Sequence, residues 1–328
     1  MRNRRYIALL GCLGALSVAP PRVDAGPLIA VPLTQVAGDR DAAFLVDVRV
    51  GPLRNLHFLV DTAATRSAIT PAVRNALGLK SIEAASEVVT GAGGNITAQR
   101  FILPALAVGD AVQYDLRVLV LDLGSEDNWM STKLDGILGL DFLRNYDVRF
   151  NASAGTLELS SLSGRPALPP DVQKYARIPF RLASVGFMIV PILVNDRLLV
   201  GVLDTGASRS VLNKRGAASA GISPAEGEAI VTTGADRTQV RITQHAAQKM
   251  EIGRIPYRDE TVSVGDLIVF EQYGLESLPS AIIGGNMLKD RDVYIFYSTN
   301  EVFLSRERTP RNEGARRDAA PESIRTSD

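Results

Sequence analysis

One cysteine, two histidines and one tryptophan in 328 residues leave several chemistries poorly supplied. Cys12 lies in an apolar N-terminal segment, so a chain cleaved after it has no thiol nucleophile, thiolate metal site or disulfide. His57 and His245 are the only imidazoles, too few for a histidine metal cage and a poor supply for a Ser-His-Asp triad. A surplus of charge is missing as well. Lys+Arg and Asp+Glu both number 36, so the formal net charge is zero, and nothing points to nucleic acid as a partner. Long segments of 3.6-residue periodicity are absent, and so is an apolar run of the ~20 residues that a membrane-spanning helix needs.

The composition that remains is an ordinary globular mixture, 46% hydrophobic and 22% charged, long enough for about two domains. Residues 1–25 have the order of a secretory signal peptide: basic Met1 to Arg5, an apolar run from Tyr6 to Ala19, and small-residue Val23-Asp24-Ala25 before Gly26. A periplasmic or secreted protein is expected, with a membrane association only if this segment is retained or lipidated at Cys12. Short β-branched runs then recur between turn residues, among them 43–50, 56–60, 117–121 and 148–150, and read as strands. Thr70-Pro71 opens a short helix that Gly78 closes, and Asn213 opens another that Gly221 closes.

These features recur at a fixed distance. Leu59-Val60-Asp61-Thr62-Ala63-Ala64 returns as Leu203-Asp204-Thr205-Gly206-Ala207, with the aspartates 143 residues apart. Gly78 and Gly221 are separated by the same 143, as are Thr90-Gly91-Ala92 and Thr233-Gly234-Ala235. Ile137-Leu138-Gly139 returns as Ile282-Ile283-Gly284, and Asp147-Val148 as Asp292-Val293. Solenoid repeats run at roughly 20–50 residues, so this period marks a duplicated domain. The expected division is 26–160 for one lobe, a Pro/Ser-rich linker over 161–175, 176–305 for the second lobe, and a disordered polar tail over 306–328.

Two Asp-Thr-(Gly/Ala)-Ala copies, each followed by an apolar-apolar-Gly segment, resemble the aspartic proteases, most nearly the retropepsin-like lobe in tandem. The resemblance covers roughly 30–305. It implies an all-β fold of two acid-protease-like barrel lobes about a pseudo-twofold axis, with the cleft between them. It implies an endopeptidase in which Asp61 and Asp204 share one proton and activate a water, because two carboxylates held together cannot both ionise. Thr62 and Thr205 would tie the two turns together, and Ala63 and Gly206 would present backbone N–H groups to the carboxylates. Thr90, Gly91, Ala92 and Gly93, with Thr233, Gly234 and Ala235, would be flap tips over an extended peptide or protein substrate. No metal or organic cofactor is implied.

Ala63 departs from the family pattern, which has glycine there. A methyl disfavours positive φ, so a turn that needs it would cost on the order of 1–2 kcal/mol and splay the dyad. The competing reading is therefore a peptide-binding protein of the same fold whose activity Ala63 has weakened. Against it, both aspartates and both threonines remain. His57 reads as structural or solvent-facing. Trp129 suits a pocket or a core equally. Arg66 and Arg209 recur after both motifs, and the pattern itself supplies no reason for them.

Overall fold

The structure, a computed structural model, describes residues 28–38, 41–79, 86–91, 94–124, 132–163, 166–184, 186–233 and 239–309. The signal segment with Cys12, Trp129, the flap residues Ala92, Gly93, Gly234 and Ala235, and the tail from 310 lie outside the described residues.

The first lobe runs β1 (Ile29–Ala37), β2 (Ala42–Val50), β3 (Leu53–Val60), β4 (Ala68–Ile69), α1 (Pro71–Ala76), β5 (Ser86–Thr90), β6 (Asn95–Val108), β7 (Ala111–Val120), β8 (Gly136–Leu138), α2 (Leu140–Leu143), β9 (Tyr146–Asn151) and β10 (Thr156–Ser161). The second runs β11 (Tyr175–Pro179), β12 (Arg181–Leu182), β13 (Met188–Val194), β14 (Arg197–Leu203), β15 (Val211–Leu212), α3 (Lys214–Ser219), β16 (Glu228–Thr233), β17 (Gln239–Ile252), β18 (Ile255–Val264), α4 (Val269–Gln272), β19 (Ser280–Ile283), α5 (Gly285–Leu288), β20 (Val293–Phe296) and β21 (Glu301–Ser305). Among the described residues the two orders match element by element from β2 and β13 onward, α4 being aligned with the stretch 125–131 that lies outside them. The all-β, duplicated architecture expected from the repeat is present.

Each lobe closes on itself in the same way. β2 pairs with both β3 and β6, and β13 pairs with both β14 and β17. Inside each barrel a parallel pair lies beside an antiparallel one: β3 with β8 and β4 with β8, then β14 with β19 and β15 with β19. That threading places the end of the Asp-bearing strand beside the apolar-apolar-Gly segment. Asp61 N–H donates to Leu138 O at 3.0 Å, and Asp204 N–H donates to Ile283 O at 3.0 Å. Alternating burial along β13, with Met188, Val190, Ile192 and Val194 inside, shows the period-two pattern at work.

Both short helices form where their caps predict. Thr70 accepts from Val73 N–H at 3.4 Å, and Asn213 accepts from Gly216 N–H at 2.7 Å. Gly78 and Gly221 take φ +59° and +70° just past the helix ends, a backbone conformation in which a side chain is strained.

The lobes are joined by a shared sheet. β1, β10 and β9 from the first lobe meet β20, β21 and β11 from the second, with β9 and β20 antiparallel at the junction. Two repeat-related carboxylates lock this junction reciprocally. Asp147 accepts from Ser298 N–H at 3.0 Å, and Asp292 accepts from Ala152 N–H at 2.8 Å, each bond crossing between lobes. A continuous core runs beneath, from Phe44, Phe142 and Phe150 to Met188, Met250 and Ile295.

Two boundaries differ from the expectation. Tyr175 already belongs to β11, and a turn of 3-10 helix over Val172–Lys174 precedes it, capped by Asp171 at Gln173 N–H. Arg306 and Thr309, expected in a free tail, donate backbone N–H groups to Lys174 O and Asp290 O, and Arg308 reaches Glu260. The polar composition of this stretch hid that its partners are two backbone carbonyls, of Lys174 and Asp290, and the Glu260 carboxylate.

Candidate active site

Asp61 and Asp204 directly follow β3 and β14, where the chain leaves the sheet in a tight turn. The turns are near-copies. Asp61 Oδ1 accepts from Ala63 and Ala64 N–H, both at 2.8 Å, and Asp204 Oδ1 accepts from Gly206 and Ala207 N–H, both at 2.9 Å. The threonines bind the turns to each other. Thr62 and Thr205 each donate a backbone N–H to the other's Oγ1 at 3.1 Å. Their hydroxyls donate onward across the axis, Thr62 to Leu203 O at 2.9 Å and Thr205 to Val60 O at 2.7 Å. Both threonines are buried, so these are desolvated and mutually dependent bonds.

The carboxyls meet at this axis. An ideal Cβ placed on Gly206 would overlap the Asp61 carboxyl, which therefore lies directly against the second turn. Burial pushes the pKa of Asp204 up to about 8, with the charge of Asp61 as the next cause and the Ala207 and Gly206 N–H groups opposing it. Burial also raises Asp61, against the N–H groups of Ala63 and Ala64. Both shifts run toward a pair that keeps a proton that two exposed carboxyls would have lost.

Ala63 is accommodated. It is not among the residues with positive φ, and its N–H serves Asp61 as that of Gly206 serves Asp204. The strain that a methyl would impose on a left-handed turn does not arise.

Two serines that the motif reading passed over hold the glycines of the apolar-apolar-Gly segments against the turns. Gly139 N–H donates to Ser67 Oγ and Gly284 N–H to Ser210 Oγ, each at 3.0 Å. Ser67 donates on to Asp141 and Ser210 to Asn286. A Cβ on either glycine would run into the neighbouring turn, into Ala64 O at 2.8 Å or Ala207 O at 2.8 Å. The signal was available, since Ser67 and Ser210 stand 143 residues apart like the aspartates.

A cleft of about 240 Å³ opens over the dyad. Leu59, Val89, Leu119 and Ile137 form one apolar wall, and Val211, Ile242, Val269 and Ile282 form the other. Gly91, just after β5, lines the cleft, and so does Thr232 on β16. Thr90 and Thr233 end those strands, so both expected flaps are strand hairpins beside the cleft, their outermost residues lying outside the described residues. Arg66 and Arg209 also line it, and each is engaged: Arg66 with Glu87 on β5, and Arg209 with Asp41 of the first lobe.

Two tyrosines missed in the sequence flank the dyad. Tyr273, just past α4, lines the cleft and packs on Phe187 with ring centroids 4.2 Å apart. Burial, then the charges of Asp204 and Asp61, raises its pKa. The Tyr297 hydroxyl is buried without a hydrogen-bond partner among the described residues, and burial and Asp61 raise it too. The 144-residue offset of this region carries Tyr273 onto Trp129, a hint at its place. Tyr297 has only Ala152 as its counterpart, so the repeat held no such hint. His57 stays at the surface, half exposed and bonded to Asp47 at 2.8 Å. Among the described residues no group of three or more His, Cys, Asp or Glu side chains has the geometry of a metal site.

Two barrel lobes that each contribute one carboxylate to a common cleft define a bilobal acid-protease-type protein. A family model for aspartyl proteases matches the chain twice, over residues 46–142 and 190–287. The chain belongs to the aspartyl protease family. A comparison with curated proteins finds no match.

Proposed function

We propose that this protein is an aspartic endopeptidase that hydrolyses peptide bonds with a water activated between Asp61 and Asp204. The observation that carries the reading is the pair of turns: two carboxyls are presented at one axis by reciprocal threonine bonds, and burial favours one shared proton. In the reaction, the ionised carboxylate takes a proton from water while the water oxygen bonds the scissile carbonyl carbon. The protonated carboxyl gives its proton to the carbonyl oxygen, leaving a gem-diol. The C–N bond then breaks, the leaving nitrogen receives the proton held by the first carboxyl, and the second regains its own from a gem-diol hydroxyl.

The apolar walls on either side of the dyad support a substrate with apolar side chains flanking the cut. The two strand hairpins suit a peptide held in extended form. The basic, apolar and small-residue order of 1–25 supports a periplasmic or secreted site of action. No helix among the described residues is long and apolar enough to cross a membrane. The turn at Ala63 avoids positive φ, which supports the enzyme over the competing reading, a binding protein weakened at Ala63.

The test is cleavage of an unbiased peptide library from about pH 3 to 8 by the processed chain and by Asp204→Asn. Cleavage that the substitution abolishes and a statine-type transition-state mimic blocks is the expected result. A folded, processed protein that cuts nothing at any pH would overturn the proposal.

A further inference from the structure

Apolar surface gathers on the second lobe, away from the dyad. Two adjoining hollows of about 470 and 550 Å³ share Pro179, Pro191 and Leu198, and none of their residues lines the cleft over Asp61 and Asp204. Leu198 and Leu278 line the larger one at 67% and 45% exposure, and grouped apolar surface of this kind marks an interaction site. The repeat supplies an internal comparison. Offsets of 143 and 145 carry Leu198 and Leu278 onto Asn55 and Lys133, both exposed and polar, so the fold does not require leucine there. An offset of 144 carries Arg254 onto Asp110, which reverses the charge.

The hollows lie along a strand edge. Ile178 from the inner face of β11 and Arg177 and Pro179 from its outer face all line the smaller one, opposite Pro191 and Leu193 of β13. β11 ends its sheet, and among the described residues it pairs only with β21. Phe180 N–H donates to Asn300 O, and Lys174 O accepts from Arg306 N–H. Alternation therefore turns the N–H and C=O of Tyr175 and Arg177 away from β21, where no strand takes them up. The charge along this edge is one-sided. Arg254 and Arg306 line the smaller hollow and Arg181 the larger, and none of the three has a side-chain hydrogen bond or ion pair among the described residues. The nearby acids are engaged, Glu251 by Lys249 and Glu301 by Arg177.

We propose that this groove docks an extended, acidic segment of a partner protein as an added strand on β11. The backbone of the segment pairs with Tyr175 and Arg177, its apolar side chains lie against Leu198 and Leu278, and its carboxylates meet Arg181, Arg254 and Arg306. The unpaired strand edge favours a peptide over a lipid surface, which has no backbone groups to offer it. The proposal goes beyond the peptidase reading and does not rest on it.

The experiment is selection from a synthetic pool of short peptides, alternating Leu, Val or Ala with Asp, Ser or Lys. The bait is the processed full chain carrying Asp204→Asn, so that no peptide is cut. A second chain adds Leu198→Asn, Leu278→Lys and Arg254→Asp, taking at these exposed positions the residue types that the first lobe tolerates at its own. Retained peptides should be rich in Leu and Asp, and should bind the second chain at least about tenfold more weakly by fluorescence anisotropy. They should also slow amide exchange at Arg177. No retained peptide, equal retention of Lys-bearing peptides, equal binding by both chains, or unchanged exchange at Arg177 would overturn the proposal. Sedimentation with phosphatidylglycerol vesicles, or self-association, that the three substitutions abolish would overturn it too, assigning the groove to a lipid surface or to a second copy.

Discussion

Arg209 grips Asp41 with its Nε and a terminal nitrogen, so a guanidinium from the Asp204 turn of the second lobe holds a carboxylate at the entry to β2 of the first. Ser208 Oγ also reaches that carboxylate, and Ser208 O accepts from Ala42 N–H at 3.1 Å. Both side chains are partly buried, at 32% and 21% exposure, and the pairing is two-point. A double-mutant cycle of Arg209→Ala and Asp41→Ala should show a coupling of about 1–2 kcal/mol by denaturant unfolding. A coupling near zero would mean that the contact is only a surface pair.

Arg66, the repeat counterpart of Arg209, does something else. Its partner Glu87 sits on β5, so it tethers the strand of the expected first flap to the Asp61 turn of its own lobe. The equivalent position on β16 is Ile230, which offers no such tether. Glu87→Ala should loosen the first flap alone, speeding amide exchange in β5 and not in β16. Because the pair is about one-third exposed, the expected rise in KM is modest, roughly twofold to fivefold. Equal exchange changes in both flaps would contradict the assignment.

Stability should fall as pH rises. Asp204 titrates near 3.8 when unfolded and at about 8 when folded, so the native state binds its proton more tightly. That contribution is complete below about pH 4 and is lost as pH climbs through about 8. Asp204→Asn should therefore flatten the decline, by several kcal/mol (about four pH units at ~1.4 kcal/mol each as an upper bound), in thermal unfolding measured across this window. If the chain cleaves peptides as proposed, the same ionisation should set the alkaline limb of its activity, since a doubly ionised dyad has no proton for the carbonyl oxygen. A kcat/KM profile still rising above pH 9 would be incompatible with it.

The two helix caps should differ sharply in weight. Thr70 offers one 3.4 Å bond to its helix. Asn213 is 1% exposed, accepts from Gly216 and Ser280 N–H, and donates to Leu275 O and Leu278 O. Thr70→Ala should cost about 1 kcal/mol. Asn213→Ala, which strands several buried groups at once, should cost about 3 kcal/mol or more by denaturant unfolding. Similar losses at both sites would show that the added bonds of Asn213 carry little.

Much of the site was legible because a gene duplication writes itself twice. Asp61 and Asp204 announced themselves through equal spacing, and so did the helix ends, the apolar-apolar-Gly segments and the carboxylates Asp147 and Asp292. Local chemistry was equally readable, as Thr70, Asn213, Gly78 and Gly221 show, since caps and positive-φ glycines act within one turn of chain. Tyr273 and Tyr297 were not legible. They reach the dyad from distant elements, and no short-range pattern distinguishes a tyrosine near a carboxylate from one in the core.

The same division explains Ala63 and the paired arginines. Sequence alone determined the duplicated β frame, the two carboxylates and the type of residue at every supporting position. It determined these because backbone propensity, alternation and turn chemistry are local, and because the repeat doubles each signal. Only the tertiary structure decided that the Ala63 turn avoids positive φ and that Arg209 crosses the lobes while Arg66 stays within one. Those outcomes depend on which groups the pseudo-twofold axis brings into contact, and burial, charge and packing act through space between residues far apart along the chain.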